Sequence, residues 1–205
     1  LQCDKELDDQ IIECKNCGAD ISRYDKVLEK GTKIGPFEIE RLIGQGGMGK
    51  VYLAKQTSMC RDVALKILDA SALKKKGAVN QFLAEARTTG QVRHRNIVTA
   101  LDAGEFGDTY YMAMNFIDGE TIEELLDRVG VMPEKEALEV VVKMADALDY
   151  VLRKLNIFHK DIKPGNVMID RKGEAFLLDL GISQFVGERH HKLDKVIGSP
   201  YYMSP

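Results

Sequence analysis

Apolar positions along the chain follow two spacings, and the places where one gives way to the other mark out its elements. Phe37-Glu38-Ile39-Glu40-Arg41-Leu42-Ile43 alternates with period two, the pattern of a half-buried strand. Lys50-Val51-Tyr52-Leu53-Ala54 and Val63-Ala64-Leu65-Lys66-Ile67-Leu68 are short runs rich in β-branched and aromatic residues, and predict two more strands. Residues 77–91 change to helical spacing, with Val79, Phe82, Leu83 and Ala86 on one stripe and Glu85 at its border. Tyr110-Tyr111-Met112-Ala113-Met114 returns to strand. Thr121 and Glu124 have capping-box spacing and open a short helix. Ala137, Val140, Val141, Met144, Leu148 and Val151 then predict a longer helix. Val167-Met168-Ile169 and Ala175-Phe176-Leu177-Leu178 read as buried strands. Strands dominate the first half and helices the second, which predicts an α+β fold.

Two places in this pattern carry chemistry. The first is Gly44-Gln45-Gly46-Gly47-Met48-Gly49. Gly-x-Gly-x-x-Gly most often announces a dinucleotide fold, but that fold needs a helix after the glycines. Here Lys50-Val51-Tyr52 follows, so the glycines close a hairpin, where the lack of Cβ atoms lets backbone N–H groups approach a phosphate. Shortly afterwards Lys66 falls inside an apolar strand, on the face opposite Val63, Leu65 and Ile67. A buried lysine needs an anion, and Glu85 on the following helix is the carboxylate available.

The second place is His159-Lys160-Asp161-Ile162-Lys163-Pro164-Gly165-Asn166, followed by Asp179-Leu180-Gly181. Five polar or charged groups crowd between a helix and two short strands, an arrangement suited to a catalytic loop held by rigid elements. The order of these motifs resembles a protein kinase catalytic domain of the bacterial, eukaryotic-like Ser/Thr class. The resemblance covers the chain from about Phe37 to Pro205.

The resemblance implies an N-terminal lobe of antiparallel sheet with one regulatory helix and an incomplete, mainly helical C-terminal lobe. It implies a kinase domain over residues 36–205, divided into 36–114, a hinge at 115–119, and 120–205. ATP and Mg²⁺ are the implied cofactors, and protein Ser/Thr hydroxyls the acceptors. By the same resemblance Asp161 is the base that orients the acceptor hydroxyl, and Lys163 steadies the transferring phosphoryl group. Asn166 and Asp179 are the Mg²⁺ ligands, while Lys66 and Glu85 fix the α- and β-phosphates. Gly44, Gly46, Gly47 and Gly49 cover the phosphates. Ile43, Val51, Ala64 and Met168 border the adenine, with Met114 as gatekeeper and Asn115, Phe116 and Ile117 as the hinge. A scaffold of the pseudokinase type is the alternative, and retention of Lys66, Glu85, Asp161, Asn166 and Asp179 argues against it. A small-molecule phosphotransferase is disfavoured by Gly198-Ser199-Pro200-Tyr201-Tyr202, which resembles a peptide-docking segment.

Three positions depart from the family pattern. Lys160 stands where Arg is usual, Leu180 where Phe is usual, and Ser199 where Thr is usual. Lysine lacks the bidentate fork of arginine, and residues 186–196 contain no Ser, Thr or Tyr. The two absences together lead to the expectation of activity without phosphorylation of that loop.

Composition adds limits. With 205 residues, 44% hydrophobic and 30% charged, the chain has the make-up of a globular protein. A net charge of -3 gives no electrostatic case for nucleic acid. No apolar run is long enough to span a bilayer, so the expected location is the cytoplasm. Residues 1–35 form a distinct leader and linker, with three of the four cysteines. Cys14-Lys15-Asn16-Cys17-Gly18 has the turn of a zinc knuckle, and Cys3 stands alone. A structural zinc site takes four ligands, so the leader is read either as part of a zinc ribbon or as a segment with free thiols. The stop at Ser204-Pro205 suggests a domain cut at its Ala-Pro-Glu-like motif, and residues 1–205 alone are expected to be inactive.

Overall fold

The computed structural model describes residues 27–46, 49–68, 73, 77–180, 184, 185 and 202. Cys3, Cys14, Cys17, Gly47, Ser183 and Ser199 lie outside them. The chain divides into two compact units, one of Leu1–Gly90 with Ala100–Phe116 and one of Gln91–Thr99 with Ile117–Pro205.

The first unit is built on an antiparallel sheet. Its strands are β1 (Lys33–Ile34), β2 (Phe37–Gly46), β3 (Gly49–Gln56), β4 (Arg61–Leu68), β5 (Ala100–Phe106) and β6 (Thr109–Asn115). They lie in the order β1-β2-β3-β4-β6-β5. The period-two reading of Val63, Leu65 and Ile67 holds. Together with Ile39, Tyr52 and Ala54 they bury one face of the sheet. The opposite face packs on helix α1 (Ala78–Gln91), where Phe82 and Ala86 meet Leu68, Tyr110 and Met112. Residues 27–34, which read as a connector in the sequence, join this unit. Lys33 and Ile34 pair with Glu38 and Phe37, and Ile34 and Leu28 add to the core. A strand of two residues has no legible period, which is why the pattern missed it.

The glycine hairpin forms as expected, with Gly44 opposite Val51 and Gly46 opposite Gly49. Its glycines serve different ends. A Cβ on Gly46 would meet nothing within 4 Å, so the space above it is open. A Cβ on Gly49 would stand 2.0 Å from the Ile67 carbonyl oxygen. Gly49 is therefore required by its neighbouring strand, and not by phosphate approach alone.

The second unit begins with β7 (Gly119–Thr121) and α2 (Ile122–Val129). The predicted capping box is complete. Thr121 Oγ1 accepts from the Glu124 N–H at 3.1 Å, and the Glu124 carboxylate accepts from the Thr121 N–H at 2.7 Å. Helix α3 (Glu134–Tyr150) runs into a wider π-helical turn at Val151–Leu155. Asn156 ends it with φ 56°, the left-handed conformation that asparagine tolerates. Val140, Met144, Ala147 and Val151 form the buried stripe. Val141, expected on that stripe, is 61% exposed instead. Three consecutive valines span too wide an arc to lie on one helix face, and packing with Met144, Ala147 and Val151 selects Val140. Strands β8 (Ile157–Phe158), β9 (Val167–Asp170) and β10 (Ala175–Leu177) follow, with β11 (Gln184–Phe185) pairing back onto β8. Among the described residues no helix is long and apolar enough to cross a membrane.

Candidate active site

In the first unit, β4 delivers Lys66 to the face that α1 covers. Its Nζ lies 2.7 Å from Glu85 Oε1, with side chains only 12% and 3% exposed. Phe82, one helical turn before Glu85, places its ring 6.0 Å from the ammonium, which adds a cation–π contact. Register sets the neighbours. Lys66 stands opposite Val51 on β3 and Met112 on β6, and Ala64 stands opposite Met114. The same face therefore carries Val51, Ala64, Lys66 and Met114, four of the residues expected around a nucleotide. Ile43 and Gly44 lie on β2, and Asn115 and Phe116 close this unit.

The second unit holds the catalytic-loop residues. Asp161 is 9% exposed, unusually low for a carboxylate, and is held by several donors. Asn166 Nδ2 donates to the Asp161 carbonyl at 2.8 Å and to its Oδ2 at 3.1 Å. Lys163 Nζ reaches the same Oδ2 at 3.1 Å. The loop can make these contacts because Pro164–Asn166 closes as a 3₁₀ turn, with the Asn166 N–H donating to the Lys163 carbonyl at 2.9 Å. Lys160 turns the chain into the loop at φ 67°, a left-handed conformation rare for lysine. Met168 on β9 pairs with Thr121, and Ile117 lies earlier in the same unit.

Asp179 is located by the strands before it. The Leu178 N–H donates to the Asn166 carbonyl at 3.0 Å, which ties the residue before Asp179 to the catalytic loop. Leu177 exchanges backbone bonds with Asn96 and Val98 at 2.8 and 2.9 Å, and Asn96 Nδ2 caps the Ala175 carbonyl at 2.8 Å. Leu180, in the position where Phe is usual, is 2% exposed and belongs to the core. Its apolar role is therefore kept.

His159 and Asn96 have roles here that the sequence reading did not assign. His159 Nδ1 accepts the Asp161 N–H at 3.3 Å, so in a neutral ring the proton sits on Nε2. Burial pushes His159 below the ordinary imidazole range, while the Asp179 carboxylate and backbone, and then Asp161, oppose the shift. Among the described residues Nε2 has no hydrogen-bond partner, although it is buried. The signal available in sequence was the His-x-Asp spacing, which lets a ring nitrogen reach a backbone N–H two residues on.

The donor set fits a hard cation. Asn166 commits its amide nitrogen to Asp161, which leaves its carbonyl oxygen as the atom able to meet a metal. The Asn166 amide oxygen and the Asp179 carboxylate are both oxygen donors, the type Mg²⁺ selects when phosphates supply further ligands.

Comparison with known proteins gives a consistent result. The family model described as Protein kinase domain matches residues 37–205. The chain is 35% identical over 172 residues to the serine/threonine-protein kinase PrkC of Bacillus subtilis (strain 168), covering 83% of this chain and 26% of that protein. It is 38% identical over 178 residues to the serine/threonine-protein kinase pkn2 of Myxococcus xanthus, covering 83% and 21%. The crystal structure of a Mycobacterium tuberculosis PknI kinase domain mutant aligns with a TM-score of 0.67 and 28% identity, over 76% of this chain and 63% of that one. The chain thus spans about a quarter of the length of the curated relatives named here.

The buried pair yields a stability prediction. Glu85→Ala strands an ammonium in a nearly dry site and should lower the unfolding free energy by ~3–5 kcal/mol. A Lys66→Met/Glu85→Leu double variant, which replaces both charges by apolar groups, should lose much less than Glu85→Ala. Denaturant titration of the three proteins checks both statements. A double variant as unstable as Glu85→Ala would contradict them.

Proposed function

The chain belongs to the protein kinase family, and from that premise we propose that the intact protein transfers the γ-phosphoryl group of Mg-ATP to Ser or Thr hydroxyls of proteins. The observation that supports this most is the set of contacts around Asp161. It is a carboxylate held by Asn166 and Lys163 in a short turned loop. Any buried carboxylate needs donors, and here an amide and an ammonium converging on one oxygen also hold it in one orientation, as a base facing an acceptor hydroxyl requires.

In the reaction the acceptor oxygen forms a bond to the γ-phosphorus while the bond from that phosphorus to the β,γ-bridging oxygen breaks, and ADP leaves. Asp161 accepts the hydroxyl proton. Lys163, whose ammonium lies 3.1 Å from Asp161 Oδ2, supplies positive charge beside the transferring group. Lys66, aimed by Glu85, holds the α- and β-phosphates. Asn166 and Asp179 would hold Mg²⁺, which neutralises charge on the phosphate oxygens when bound. We place this activity in the cytoplasm, the compartment that holds Mg-ATP, with proteins as its partners.

Three further points complete the proposal. The adenine is taken by Ile43, Val51, Ala64, Met114 and Met168, with the backbone of 115–117 as hinge. Lys160 offers one ammonium in place of a guanidinium fork, and residues 186–196 carry no hydroxyl to phosphorylate, so activity does not depend on modifying that loop. The leader binds about one Zn²⁺ through Cys3, Cys14, Cys17 and a fourth ligand, a set suited to a structural site.

The base, the loop and the leader each have a measurement. Asp161→Asn in the intact protein should keep Mg-ATP binding and cut phosphorylation of a basic protein by at least ~100-fold, the scale of a general base. Retained turnover would remove Asp161 from its role. Phosphatase-treated enzyme should keep its activity, and a large loss restored by autophosphorylation between residues 182 and 199 would refute the loop reading. Elemental analysis of protein purified without chelator should find zinc near one equivalent, and its absence, with no change in melting on adding Zn²⁺, would favour free thiols.

A further inference from the structure

Tyr52 has a hydroxyl that the nucleotide reading does not use. Its ring is 0% exposed, buried on the face of the sheet that carries Ile39, Ala54 and Leu65. A phenylalanine would fill that space equally well. The hydroxyl instead accepts the Leu28 N–H at 3.1 Å, across 24 positions of sequence. Leu28 also packs its side chain on the same cluster.

Residues 27–34 continue from this contact along β2. The Gly31 N–H donates to the Ile39 carbonyl at 2.8 Å, and the Ile39 N–H to the Thr32 carbonyl at 2.9 Å. Lys33 and Ile34 then pair with Glu38 and Phe37. Lys30 and Glu40 add an exposed ion pair, which contributes little by itself. The result is a strap fastened to β2 along its length and to β3 at one point, Tyr52. That point lies three residues after Gly49 and directly beside Val51. Alternation along β3 puts Tyr52 on one face of the sheet and Val51 on the other, so the anchor lies on the covered face, one residue from Val51 and three from Gly49.

We propose that Tyr52 is a positioning residue for nucleotide binding, and that residues 27–34 are a strap clasped to the glycine hairpin by the Leu28 N–H to Tyr52 hydroxyl bond. The inference rests on the nucleotide site proposed above.

Tyr52→Phe in the full-length protein keeps the ring and removes only the acceptor. In the nucleotide-free protein it should speed amide hydrogen exchange in residues 27–34 and also in 49–53. It should weaken Mg-ADP binding by ~3–10-fold, the scale of one hydrogen bond, and raise the KM for ATP more than it lowers kcat. Leu28→Pro, which removes the donor together with the Leu28 packing, should act in the same direction, and adding Tyr52→Phe to it should cost much less than Tyr52→Phe does in wild type. Faster exchange confined to 27–34 with unchanged Mg-ADP affinity would overturn the proposal, as would fully additive effects. A lower melting temperature with neither change would reduce the Tyr52 hydroxyl to a purely stabilising contact and overturn its positioning role. If wild type binds no Mg-ADP, the nucleotide site itself is refuted. The exchange in 49–53 then still decides whether the clasp holds the hairpin.

Discussion

A lysine ammonium that leaves water must meet a carboxylate, and the first unit is arranged around that constraint. Lys66 sits in a strand whose neighbours bury it, so α1 has to present Glu85 at the right height. The stripe of Phe82 and Ala86 fixes the helix against Leu68 and Met112 and thereby sets that height. The pair gives the fold little net stability, because desolvation offsets most of its attraction. What it provides is a lysine held at one place on an otherwise apolar face. Displacing the helix would uncouple the lysine from its partner at a cost of several kcal/mol, so helix position and lysine position are one variable.

The second unit meets a related constraint with hydrogen bonds. Asp161 is nearly buried and carries a charge, so its surroundings must supply donors. Asn166 and Lys163 do so on one oxygen, and the 3₁₀ turn between them sets the reach. Asn166 also uses its backbone, since its N–H donates to the Lys163 carbonyl and its carbonyl receives the Leu178 N–H. The residues expected to handle the base, the phosphoryl group and the metal are therefore fixed relative to one another by a few short bonds. His159 adds a neutral ring that takes the Asp161 N–H without bringing a second positive charge beside Lys163.

Much of this was legible because the relevant spacings are short. The Lys66 strand and the Glu85 helix each declared themselves by period, and the need to neutralise a buried lysine linked them. The capping box at Thr121 and Glu124 was read from three residues of separation. The catalytic loop was legible as a crowd of polar groups between apolar elements, and its roles came from family resemblance. What escaped depends on contacts between distant segments. Nothing local to Asn96 says that it caps Ala175, and nothing local to Leu28 says that it meets Tyr52. Among the valines at 140–142, the period alone left the buried one ambiguous by a single position. Gly49 was read for a phosphate, and nothing local said that the Ile67 carbonyl also excludes a side chain there.

Whether these groups perform phosphoryl transfer is decided most directly by the position of a label. Intact protein is incubated with Mg²⁺ and ATP labelled with ³²P at either the α- or the γ-phosphate, with a Ser/Thr-containing acceptor protein. The account predicts label on Ser or Thr from γ-labelled ATP only, with loss of transfer when Mg²⁺ is chelated. Mg-dependent binding of ATP without any transfer from the γ position would contradict it, and would leave the protein as a nucleotide-binding scaffold.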